Sequence, residues 1–145
     1  ITQGSRFDAY LEGDQDVLTP EELAGLEIFQ NNGCASCHNG VLLGGQMFTR
    51  FSHAAEQQGE DTGRYQVTGN PADMYVFRVA PLRNVELTYP YFHDGSAETL
   101  EEAVSIMGES QLGRRFNEEE VEKLVAFLKT LTGEFKTVPH PVLPR

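Results

Sequence analysis

A chain of 145 residues, 39% of them hydrophobic, is sized for one domain around one core. Its formal net charge of −11 argues against nucleic acid or an anionic membrane as partner, since both attract basic surfaces. No apolar run in these residues approaches the roughly 20 of a spanning helix, and on this reading neither a span nor a signal peptide is expected within them.

Residues 1–18 read as a polar lead-in, with Phe7, Tyr10 and Leu11 as docking points. The sequence opens on Ile1, as a processed chain or part of a longer one would. A helix starts at Thr19, which can cap; Pro20 suits the first helical position and Glu22 completes a capping box. Leu23, Leu26 and Phe29 recur every three residues, with Ile28 beside them. Gly25 leaves a notch for another helix, and the expected partner is the stripe around Leu124 and Leu128. Asn31-Asn32-Gly33 ends the helix.

Cys34-Ala35-Ser36-Cys37-His38 follows, the C-x-x-C-H signature of c-type haem attachment. Positions three and four apart share one face of a helical turn. Both thiols can then bond the vinyl groups on one porphyrin edge while His38 reaches the iron. A zinc site would need another ligand pair, and there is no third cysteine. A thioredoxin-like dithiol would need a βαβ setting that the flanking sequence lacks. One covalent haem c is therefore expected through Cys34, Cys37 and His38. Such attachment normally occurs outside the cytoplasmic membrane, so a periplasmic location is expected with it.

Residues 39–98 show little periodicity and are broken by glycines and prolines. A structureless stretch of this length argues against a compact domain unless something else fills the interior. A buried macrocycle would do so, with Val41, Leu42, Phe48, Tyr75 and Phe77 packed on it.

Thr99 to Glu102 forms a second capping box, and Leu100, Ala103, Val104 and Met107 make one apolar face, with Gly108 as the expected stop. A third helix begins at Asn117 with Glu120 at N3. Its stripe is Val121, Leu124, Val125, Leu128 and Leu131, with Gly133 as stop. Three prolines make 134–145 an extended tail. The expected organisation is a lead-in over 1–18, one domain over 19–133 and that tail.

The second axial position has several candidates: Met47, Met74, Met107, His53 and His93. Methionine on a helical stripe is usually core filling. With a haem present, Met107 gains weight, because it is expected to end a capped helix beside a glycine. Met47 and Met74 stay open in glycine-flanked loops, and His53 and His140 read as exposed. His93 could be a ligand, a partner to one, or a loop residue. Methionine ligation would raise the iron's potential relative to two histidines.

Ala80-Pro81-Leu82-Arg83-Asn84-Val85-Glu86-Leu87-Thr88, Tyr91-Phe92-His93-Asp94-Gly95 and Thr99-Leu100-Glu101-Glu102-Ala103-Val104 resemble the bacterial dihaem cytochrome c peroxidases. Gln111-Leu112-Gly113-Arg114 and Leu124-Val125-Ala126-Phe127-Leu128 extend the likeness over nearly the whole chain. The resemblance is to the carboxyl-terminal, electron-transferring half of those enzymes. It implies an all-α class I cytochrome c fold, with three main helices and long loops around one haem of His and Met ligation. Residue by residue, the ligands fall on His38 and Met107. A structural calcium would take carbonyls that fall on Thr88 and Pro90, with a remaining protein ligand from the other half. A related branch that matures a quinone cofactor carries tyrosine where Met107 stands.

Two functions follow as expectations. The first is the electron-transferring half of a dihaem peroxidase that reduces hydrogen peroxide. It would be fed by a small cytochrome or copper protein and would deliver to a peroxidatic haem domain. The second is a stand-alone monohaem carrier without catalytic activity.

Overall fold

Four capped helices hold the core in place. The computed structural model describes residues 4–134. Helix α1 spans Arg6–Leu11, α2 Pro20–Asn31, α3 Cys34–Cys37, α4 Ser52–Gln57, α5 Tyr65–Thr68, α6 Leu100–Leu112 and α7 Glu118–Lys129. Two short strands, β1 (Phe48–Arg50) and β2 (Val76–Arg78), pair antiparallel with Thr49 opposite Phe77. Among the described residues the architecture is mainly helical with this one small sheet, as expected of the class I cytochrome c fold that the resemblance implies. The tail expected over 134–145, His140 included, lies outside the described residues apart from Glu134.

Helix α2 starts where the capping logic puts it. The Thr19 hydroxyl accepts from the Glu22 N–H, and the Glu22 carboxylate accepts from the Thr19 N–H at 2.8 Å. Helix α7 repeats this with Asn117 and Glu120. In α6 only half of the box forms: Thr99 accepts from the Glu102 N–H, while the Glu102 carboxylate takes the N–H of Glu98 instead.

Helices α2 and α7 pack most closely. Gly25 lies on the contact, and the atoms nearest a Cβ there belong to the Lys123 carbonyl and Phe127, each one position before Leu124 and Leu128 of the expected stripe. With no Cβ at 25 the helices approach until backbone meets backbone, so the ridge one position earlier fills the notch. Phe127, absent from the expected stripe, is fully buried; its ring centroid lies 5.3 Å from those of Phe7 and of Phe29. Leu131 is fully buried just beyond α7, whose last turn closes at Thr130 and not at Gly133.

Gly108 does not stop α6. The helix runs on to Leu112 and ends at Gly113, whose φ of +62° suits a residue without Cβ. Gly108 instead admits the returning chain, because a Cβ there would come within 2.7 Å of the Phe116 ring. Met107 therefore sits inside a helix and not at its end.

The lead-in is better built than a polar tether. Ser5 and Asp8 make a reciprocal capping box for α1, and Phe7 is buried with its N–H donating to the Thr130 carbonyl at 3.1 Å. Arg83 reaches back from the far loop to the Asp8 carboxylate at 2.6 Å and to the Ser5 hydroxyl at 2.9 Å. The signal was legible as Ser5-x-x-Asp8 ahead of an aromatic.

Candidate functional site

A cavity of about 570 Å³ opens between α3, α6, β2 and the loop carrying residues 79–93. Cys34, Cys37, His38 and Met107 all line it. Four residues spread over 74 positions of sequence thus face one space. Its volume lies within the range of about 300–1,000 Å³ usual for cofactor sites.

Helix α3 is a single turn begun by Gly33 at φ +93°, and it carries both cysteines. The thiols are free. Burial raises the Cys34 thiol above its ordinary 9.0, with nearby Arg114 pulling weakly the other way. The His38 N–H donates to the Cys34 carbonyl at 2.9 Å, fixing the imidazole at the helix end. Its Nδ1 lies 3.2 Å from the Ala80 carbonyl. A carbonyl only accepts, so Nδ1 carries the proton and Nε2 keeps its lone pair, the form in which imidazole binds a metal. Burial also pushes the imidazole below its ordinary 6.5, against the backbone contacts at Leu43 and Ala80, which keeps it neutral.

The walls are aromatic. Phe51, Phe77, Phe92 and His93 line the cavity together, the Phe77 and His93 centroids being 4.3 Å apart. Gln111 closes the side next to Met107. Its Oε1 accepts from the Ser52 N–H at 2.6 Å and its Nε2 donates to the Arg50 carbonyl at 3.1 Å, so α6 is tied to β1 and α4. Of the residues expected to pack on a macrocycle, Phe77 is in place. Val41 is 71% and Phe48 53% exposed, and neither they nor Leu42 and Tyr75 line the cavity.

Among the ligand candidates, Met107 and His93 line the cavity and Met47, Met74 and His53 do not. His53 is half-buried, its ring tilted against Phe51 and Phe92, rather than exposed. Thr88 and Pro90 lie at the cavity's edge, on the exposed loop flanking the cis Tyr89–Pro90 bond. Among the described residues no group of three or more His, Cys, Asp or Glu could hold a metal ion. Two carbonyls alone fall short of the six to eight oxygens that calcium takes.

Sequence reasoning passed over Arg78, Gln111 and the Ala80 carbonyl. Arg78 had a signal, as the one charge inside Tyr75-Val76-Phe77-Arg78-Val79-Ala80. The Ala80 carbonyl had none, since its role depends on the path of the chain and not on its side chain.

The donor set suits haem c: two free thiols, a neutral imidazole with its outer nitrogen anchored, a thioether, and flat aromatic walls free of carboxylates. Fold and cavity together define a c-type cytochrome domain. The cytochrome c family matches residues 23–132, and the chain belongs to that family, whose cofactor is covalently bound haem c. It is 51% identical, over 99% of its length, to cytochrome c551 peroxidase of Nitrosomonas europaea, and 46% identical, again over 99%, to that of Pseudomonas aeruginosa. It covers 44% and 43% of those two proteins, so the chain spans less than half the length of the curated relatives it matches. Among solved structures it is similar to a MauG-like protein associated with microbial copper homeostasis. That match has a TM-score of 0.80 and 32% identity, over 90% of this chain and 52% of that one. No helix among the described residues is long and apolar enough to cross a membrane.

Proposed function

We propose that this chain carries single electrons through one haem c bound by Cys34 and Cys37, with His38 and Met107 as axial ligands, as the electron-transferring part of a peroxide-reducing dihaem system. The observation that carries this reading is the convergence of those four side chains on one cavity. Bound haem c supplies a one-electron ferric/ferrous couple. The protein's part is to hold it rigidly: α3 presents both thiols, the Ala80 carbonyl orients His38, and α6 brings Met107 to the same space. A thioether opposite an imidazole favours the ferrous state. As an iron ligand Met107 would also take the position that peroxide needs. On this reading reduction of hydrogen peroxide belongs to a second haem domain, electrons arrive from a small cytochrome or copper protein, and the location is periplasmic. The peroxidase relatives support this placement over a stand-alone carrier.

The test is the holoprotein's spectrum and potential with Met107 replaced. Met107→His should stay low-spin and fall in potential, within the roughly 0.8 V that axial ligands command. Met107→Ala should lose the weak sulfur-to-iron absorption of the ferric protein. If Met107→Ala leaves both spectrum and potential unaltered, the ligand is another residue, and His93 is the next to test.

A further inference from the structure

The charges around the cavity are lopsided. Among its lining residues stand one arginine, no lysine and no carboxylate. The arginine is Arg78, the last residue of β2, in a chain of net charge −11. Its Nε donates to the Gly45 carbonyl at 2.7 Å, which fixes the guanidinium, and a terminal nitrogen lies 3.6 Å from where a Cβ on Gly45 would be. Among the described residues Arg78 forms no ion pair, whereas Arg6, Arg64, Arg83, Arg114 and Arg115 each have a carboxylate partner. It is an exposed residue at the mouth of an apolar space, with its terminal nitrogens still able to donate.

Haem carries two propionates, and an anion set beside apolar walls needs a cation or several hydrogen-bond donors. We propose that Arg78 is the propionate anchor of this cavity, its guanidinium donating to a haem carboxylate while the Gly45 carbonyl holds it in place. This rests on the haem reading above and adds to it a positioning residue that tunes the iron's potential.

The groups facing Arg78 are few. Within the cavity the other titratable side chains are Cys34, Cys37, His38, Tyr91 and His93. On the outer side of β2 Arg78 shares a groove with Asp61 and Arg64. Asp61 accepts from the Gly63 N–H at 2.8 Å, and Arg64 pairs with Asp73 at 3.4 Å. Arg50, the remaining cation of the sheet, does not line the cavity.

Removing the positive charge should favour ferric over ferrous haem by about tenfold, the scale for a unit charge roughly 12 Å away at an effective dielectric near 20. It should also raise the propionate's own titration into the neutral range, so that reduction takes up a proton. The experiment is a redox titration of the haem-loaded chain between about pH 5 and 8, the window in which histidine also titrates. The variants are Arg78→Gln, Arg78→Lys, Arg50→Gln and the double variant Arg78→Gln/His93→Gln. The expected result is a lowered potential and a new pH-dependent step in Arg78→Gln, a step that survives in the double variant and shrinks in Arg78→Lys. Arg50→Gln should keep the parent profile.

An unchanged potential, or a lowered one with no new step, overturns the anchor, because losing a hydrogen-bonded cation must move the propionate's own titration. A step that vanishes in the double variant assigns the effect to His93 and likewise overturns it. If Arg78→Gln fails to fold, Arg78→Lys must still shift the step relative to the parent; an identical profile is a refutation. Covalent haem is checked first by haemochrome and intact mass. A parent without haem would sink the reading beneath, a failure distinct from that of the anchor.

Discussion

A Cβ placed on Gly25 would lie 1.9 Å from the carbonyl oxygen of Lys123. The neighbour is backbone, so it cannot swing aside as a side chain would, and α2 and α7 would have to separate. Gly25→Ala, which normally favours a helix by about 1 kcal/mol, should here destabilise by about 1–3 kcal/mol through overpacking. Urea unfolding reads it directly. An unchanged midpoint would show that the two helices do not meet as closely as the backbone places them.

Capping chemistry made α2, α6 and α7 legible, because Thr19, Thr99 and Asn117 each act on a donor three residues away. The residues proposed to bind haem were legible for a similar reason, Cys34, Cys37 and His38 falling within five positions of sequence. What stayed hidden depended on chain path. The β1–β2 pair is three residues long on each side and carries no alternation that would set it apart from a loop. Gly108 read as a stop because glycine commonly ends helices, yet here Phe116 needs the space above it. Phe7 read as a docking point and proved part of the core, since its partners Phe127 and Thr130 are more than a hundred residues away.

Helix α1 should be the acid-sensitive end of the fold. Burial alone would raise the carboxyls of Asp8 and Glu22. The bonds from Ser5 and Arg83 to the first, and from Arg6 and Thr19 to the second, outweigh it and hold them below their ordinary 3.8 and 4.5. A carboxyl whose folded pKa is depressed stabilises the fold fully above its unfolded value and loses that contribution as pH falls through the folded one. Stability should therefore drop below about pH 4, the range of unperturbed carboxyls. Asp8→Asn should remove part of that dependence and cost about 2 kcal/mol near neutrality, typical of a hydrogen bond to a charged group. Parallel acid profiles for parent and variant would mean that Asp8 is not coupled to folding.

Gln111 caps a helix to which it does not belong. Helix α4 has no side-chain cap of its own at Phe51, and the Gln111 carbonyl supplies one to the Ser52 N–H. Gln111→Leu keeps the bulk but leaves that N–H and the Arg50 carbonyl without these bonds. The expected cost is about 1–3 kcal/mol, with faster amide exchange at Ser52 and little change in α7. Exchange rising equally in α7 would point to global destabilisation instead of a lost cap.

The chain by itself should be a poor peroxidase. Peroxide reduction needs an open iron position and a group placed to move a proton. On the proposed ligation Met107 closes the first, being held on α6 between the cavity and the Gln111 tie to β1 and α4. Of the cavity's other side chains, His93 is an imidazole, the group that most often moves protons in catalysis, and its ring lies tilted against Phe77 with the centroids 4.3 Å apart. Met107→Ala should therefore raise reactivity toward peroxide while lowering the potential, and adding His93→Gln should remove much of that gain. The measurement is steady-state oxidation of a reduced small cytochrome by hydrogen peroxide, with the haem-loaded chain as sole catalyst. Parent turnover should stay well below about 1 s⁻¹, the lower end of ordinary enzymes. Parent turnover at or above that rate would mean that Met107 leaves the iron readily, and that this domain carries out the chemistry here assigned to a second haem.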